Sequence, residues 1–157
     1  MKSLGVALLL AGAPLLAQSW QPQIGAVWSQ PQGDLKQVSD GHAWGLMLGA
    51  QAYETPQGAL RLFVEYRRFK TAADQSYSLS DGGFLLTGSI SGPLYGFLGA
   101  TAERVHLPDL DAATKLGLRG GLGWTLGRHA SLEGTYTHTA MDHRSLDSVE
   151  ASLILSF

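Results

Sequence analysis

The sequence predicts an all-β fold: eight antiparallel strands forming an up-and-down transmembrane β-barrel whose apolar wall meets lipid. Three observations predict it. Gly, Pro and Asp punctuation divides the chain beyond residue 20 into extended segments of about ten residues. The clearest segments alternate apolar and polar residues, and no helical periodicity of comparable length competes. The connectors switch between tight turns ("TPQG", "SGP", "GRH") and longer polar stretches ("PQGDLKQVSDG", "KTAADQS", "LPDLDAA", "AMDHRSLD"). A meander built this way gathers its tight turns at one end of the sheet.

The amino end is an address. Lys2 followed by "LGVALLLAGAPLLA" reads as a secretory signal peptide over residues 1–19, with cleavage after Ala17 or Ser19. A buried or anchoring helix is the competing reading, and Pro14 and the short apolar run oppose it. Residues 20–157 are then one exported barrel domain. Their strands are expected at 22–30, 42–54, 58–69, 77–90, 93–105, 114–126, 130–139 and 148–157.

Seven of the eight strands show their faces in the sequence. In 42–54 the apolar series is Trp44, Leu46, Leu48, Ala50 and Ala52. In 58–69, Leu60, Leu62, Val64 and Tyr66 alternate with Arg61, Phe63, Glu65 and Arg67. In 77–90 and 93–105 the parity is less clean. There Phe84, Leu86, Ile90, Leu94, Leu98, Ala100 and Ala102 face one way, while Leu85, Tyr95 and Phe97 fall on the other. In 114–126, Leu116, Leu118, Leu122, Trp124 and Leu126 alternate with Lys115, Gly117, Arg119, Gly121 and Gly123. In 130–139, Leu132 and Tyr136 oppose Glu133, Thr135 and Thr137. The last strand runs Val149, Ala151, Leu153, Leu155, Phe157 on one face, with Ile154 as the exception on the other.

A soluble antiparallel barrel also alternates, with its apolar face turned inward. Three features favour the lipid-facing arrangement. Charged residues are only 15% of the chain, sparse for a solvated sandwich. The polar face carries Arg61, Glu65, Arg67, Glu103, Lys115, Arg119, Glu133 and Glu150, four basic and four acidic, which can neutralise one another in a narrow lumen. Trp28, Trp44 and Tyr66 gather near one rim, and Trp124 and Phe157 near the other, at depths amphipathic rings prefer.

With these pieces assembled, the chain resembles the small outer-membrane β-barrel family, the eight-stranded OmpA/OmpX-like group, over essentially all of residues 20–157. "PQGDLKQ", "LFVEYRRF", "KLGLRGGLGW" and "LEGTYTHTAMD" are similar to segments of that group. These motifs are compositional, so they speak for architecture and little for function. The resemblance implies outer-membrane lipid as the surroundings and no periplasmic domain after the barrel. It also implies recognition of the final strand by the barrel assembly machinery, through Ala151, Leu153, Leu155 and Phe157.

Three functions follow for comparison. The first is a structural or surface-interaction barrel whose lumen is filled by the charged residues named above, with an external ligand the sequence does not name. The second is a narrow passive channel, for which the glycines of 117–123 could leave space beside Arg119. The third is a lipid A-modifying enzyme, with His138, Asp142, His143, Asp109 and Asp111 as candidates. A histidine base needs a nucleophile or carboxylate within hydrogen-bond reach, and His138 is followed by Thr139 without a His-x-Ser arrangement. The first function is the expectation, without catalysis, cofactor or metal. His42, His106, His129, His138 and His143 lack a metal-site spacing, and cysteine is absent. A net charge of −2 gives no basic field for nucleic acid.

Overall fold

The computed structural model describes residues 20–34, 36, 39, 41–55, 58–70, 76–107, 110–140 and 145–157. Eight strands close into one barrel: β1 (Gln21–Gln32), β2 (Ala43–Thr55), β3 (Gly58–Lys70), β4 (Ser76–Ser91), β5 (Leu94–Leu107), β6 (Leu110–Thr125), β7 (Ala130–Ala140) and β8 (Ser145–Ser156). Every strand pairs antiparallel with its sequence neighbours, and β8 returns to β1. Closure leaves no free sheet edge, which a lipid environment requires.

The expected strands are all present, but several ends move outward. β6 begins at Leu110 and not at 114, so the polar stretch "LPDLDAA" is mostly strand and the connector shrinks to 108–109. β8 begins at Ser145, β1 runs on to Gln32, and β4 spans 76–91. Polar, loop-like residues are carried into the sheet because the pairing continues past the apolar band: Val105 faces Ala113, and His138 faces Asp147. The tight-turn end holds 56–57, 92–93 and 126–129; Gly92, at φ 55°, supplies the left-handed residue of the second. The opposite end, the loop end, holds 33–42, 71–75, 108–109 and 141–144. The signal-peptide reading of residues 1–19 lies outside the described residues.

The faces decide what the wall meets. Leu46, Leu48, Val64, Leu86, Leu98, Leu118, Leu122 and Leu153 all stand exposed on the outside. Arg61, Glu65, Arg67, Arg119, Glu133 and Glu150 are buried inside. This inverts a soluble barrel. Leu118 is 61% exposed beside Arg119 at 5%, a pairing that water would penalise and hydrocarbon would favour.

Candidate functional site in the barrel interior

Strand β3 sets out the interior layers in order, because every second side chain points inward. From the tight-turn end these are Arg61, Phe63, Glu65, Arg67 and Phe69.

At the level of Arg61, its Nη1 donates to Glu133 Oε1 at 2.7 Å, and the Tyr95 hydroxyl donates to the same oxygen at 2.5 Å. Below this layer the barrel opens into a vestibule of about 340 Å³, lined largely by polar residues such as Gln23, Gln51 and Ser131. Above it, Phe63 joins Val27, Met47, Leu85, Phe97 and Ile154 in an apolar collar. The space left between collar and charges is about 10 Å³, at or below what one water needs.

The charge cluster sits above the collar. Arg67 reaches Glu65 (Nε–Oε1, 3.0 Å), Asp81 (Nη2–Oδ2, 3.2 Å), Glu103 (Nη2–Oε1, 3.1 Å) and Glu150 (through Nη1). Arg119 reaches Glu65 (2.8 Å), Asp81 (3.2 Å) and Glu150 (2.8 Å). Its guanidinium also lies 4.7 Å from the Phe63 ring centroid, a cation–π contact that ties the cluster to the collar. Ser148 Oγ and Thr137 Oγ1 donate to Glu150 Oε1. Toward the loop end Ala43, Phe69, Tyr77, Leu79 and Val105 close the interior with a second apolar layer, in which the Phe69 and Tyr77 rings stack at 5.1 Å.

All eight charged residues expected in the lumen occupy inward positions, but they form two groups. Arg61 and Glu133 pair below the collar; Glu65, Arg67, Glu103, Arg119 and Glu150 meet above it. Lys115 is half-buried, opposite Glu103 in the β5–β6 register. Sequence reasoning missed Asp81, which bridges both central arginines, and the Tyr95 hydroxyl. Parity could have found Asp81: with Phe84 and Leu86 outward, Asp81 must share the inward face of Leu85. Ala151, Leu153, Leu155 and Phe157 stand on the outer face of the last strand.

The glycines of β6 leave no free space. Gly121 faces Phe97 and Gly123 faces Tyr95 in the register, and each ring lies where a side chain would be. A Cβ on Gly121 would come within 2.7 Å of Phe97 Cζ, and one on Gly123 within 2.5 Å of the Tyr95 ring. Gly121 and Gly123 are seats for aromatic rings, while Gly117 lies against Thr139 and Gly120 against Leu98.

Of the enzyme candidates, Asp109, Asp142 and His143 lie outside the described residues, as does the side chain of Asp111. His138 stands on the outer wall, where its Nδ1–H donates to Asp147 Oδ1 at 2.6 Å. Ser145 Oγ donates to the other oxygen of that carboxylate at 2.7 Å, so it is bonded to the carboxylate and not to the imidazole. Among the described residues no cluster of His, Asp or Glu is arranged to hold a metal ion.

No family model and no curated protein matches this sequence. Solved structures do match. The chain is similar to Ail, the attachment invasion locus protein of Yersinia pestis, at 16% identity and a TM-score of 0.60, covering 88% of this chain and 97% of Ail. It is similar to the N-terminal β-barrel domain of Pseudomonas aeruginosa OprF at 11% identity and a TM-score of 0.58, covering 87% and 97%. A de novo designed transmembrane β-barrel matches equally well, at 14% identity and a TM-score of 0.56, covering 87% and 95%. The fold is that of the small eight-stranded outer-membrane barrels. Because a designed protein shares it, the fold by itself carries no activity.

Proposed function

We propose that this chain is an outer-membrane barrel with a closed interior, acting as a structural or surface-interaction protein without enzymatic activity or cofactor. One observation carries the reading: the apolar wall faces outward while two apolar layers and a buried ion cluster fill the inside. Eight strands enclose just enough room for side chains, and here they use it. A passive channel is disfavoured because the collar and the Arg67–Arg119 cluster lie across the path between the two mouths.

In this reading the tight-turn end is periplasmic and the loop end external, following the usual arrangement of such barrels. Outer-membrane lipid surrounds the wall, and the assembly machinery recognises the β8 face of Ala151, Leu153, Leu155 and Phe157. Contact with an external partner falls to the loop end. Ail has been solved in complex with the heparin analogue sucrose octasulfate, which supports surface recognition as a role for this architecture.

Two measurements test the reading together. Protein extracted from outer membranes should run as a compact band on a gel until boiled. In planar bilayers it should show no steady single-channel conductance. Loss of the compact band would overturn the barrel in the membrane, and regular conductance steps would overturn the closed interior.

The His138–Asp147 pair favours a second reading, a histidine base acting on lipid at the outer wall. An unchanged lipid A profile in cells with and without the gene would remove it.

A further inference from the structure

The outer wall is uneven in charge. On β3, Arg68 and Lys70 point outward above Tyr66; on β5, Arg104 and His106 point outward, level with Tyr66 and Arg68 respectively. β4 lies between them. Its Ser78 is opposite both Arg68 and His106, and its Ser80 is opposite both Tyr66 and Arg104. The register therefore builds a staggered set of four basic side chains: Arg68 is level with His106, Lys70 lies one row above and Arg104 one row below, with hydroxyls between the columns. The columns are two strand spacings apart, about 10 Å, and the rows about 7 Å apart. Among the described side chains of this wall, none is acidic; Asp147 of β8, and Asp34 in the turn after β1, belong to the β1–β8 side. Asp74, Asp109 and Asp111 belong to the connectors and strand end beside the wall, and their side chains lie outside the described residues.

Depth gives the array its meaning. Below it stand exposed Val64 and Leu98 of the apolar band, with Tyr66 level with Arg104 at the edge of that band. Side chains one to two residues above that band sit at the level of lipid headgroups in the outer leaflet. Arg68 is held in place there, its Nη2 donating to Ser76 Oγ at 2.9 Å.

We infer that the β3–β5 wall binds the phosphate groups of lipid headgroups in the outer leaflet, through Arg68 and Arg104 with Lys70, His106 and the intervening serines. Arginine forks suit phosphate oxygens, and hydroxyl donors between them satisfy the remaining lone pairs. The inference rests on the membrane reading above. It adds a preferred side: lipid would be held on one wall, leaving the β7–β8 side without such contacts.

The test uses folded protein in detergent and three probes: phosphorylated lipid A, the same lipid after phosphatase treatment, and inorganic phosphate. Affinity is read by native mass spectrometry. The wild type should prefer the phosphorylated lipid, and Arg68→Gln with Arg104→Gln should weaken that binding about thirtyfold, since each basic group near an anionic surface contributes roughly fivefold. Arg68→Lys with Arg104→Lys should retain most of it. Equal binding of the two lipids, or no loss in the glutamine variant, would overturn the inference. So would inorganic phosphate that binds as tightly as the lipid and displaces it. Each variant is first checked for its heat-sensitive compact band. If the wild type lacks that band, the membrane reading has failed; if the band is present and binding is indifferent to phosphate, only the lipid site has failed.

Discussion

Arg67 and Arg119 grip the same three carboxylates: Glu65, Asp81 and Glu150 each reach both guanidiniums. Two like charges deep in a barrel would repel, so each arginine is tolerated only because the acids between them are shared. The cluster is one object, contributed by β3, β4, β6 and β8, with Glu103 of β5 added through Arg67.

Breaking that object from one side should be costly. Arg67→Met takes the arginine from Glu103 and leaves the three shared carboxylates with Arg119 alone, and it is expected to lower unfolding stability by about 3–5 kcal/mol. Urea titration, read from the compact gel band, checks it. Arg119→Met should cost a similar amount, and the double variant clearly less than the sum, because both singles destroy the same network.

The ring seats on β6 give a sharper steric prediction. Gly123→Val should destabilise by about 1–3 kcal/mol, since its side chain enters the space of the Tyr95 ring. Tyr95→Ala in the same chain should recover part of the loss. At Gly134 an added Cβ would meet nothing within 4 Å, so alanine should be accepted there without loss. Equal costs at Gly123 and Gly134 would mean the rings are not seated there.

Depth on the outer wall can be read by charge. Leu118→Arg faces outward from the middle of β6 and is expected to cost about 2–4 kcal/mol in a bilayer. In a soluble barrel the same exposed position would accept arginine within about 0.5 kcal/mol. Refolding titrations into lipid vesicles distinguish the two.

Partner burial should separate two polar contacts of similar length. His138→Ala breaks the exposed contact with Asp147 and should change stability by about 1 kcal/mol or less. Arg61→Ala breaks the buried contact with Glu133, leaves that carboxylate enclosed, and should cost several times more. The same urea titration ranks them.

Most of this architecture was legible from parity. The outward series of Leu60 to Tyr66 and Leu116 to Leu126, and the inward arginines between them, follow from a period of two. What parity could not reveal is which inward residues meet across the lumen. Leu85, Phe97 and Ile154 look like blemishes in an apolar-out, polar-in pattern, yet they meet Phe63 and Met47 as the collar. Asp81 sits in "SDGG", a string that reads locally as a turn; the ladder to β3 and β5 overrides that preference and aims the carboxylate at Arg67. The strand ends erred for the same reason: pairing partners, absent from a local reading, extend β6 and β8 through polar sequence.

The seam between β1 and β8 joins the strands farthest apart in the chain. Gln23 donates to Ser156 across 133 positions of chain, and all of the intervening ladders join adjacent strands. Hairpins can zip early because their loops are short, whereas the seam must wait for the final segment and meets the largest entropic barrier. Until then the first strand carries a bare row of backbone donors and acceptors, which hydrocarbon has no water to satisfy. A block on the last strand is therefore expected to stop folding at a stage where every ladder but the closing one has formed.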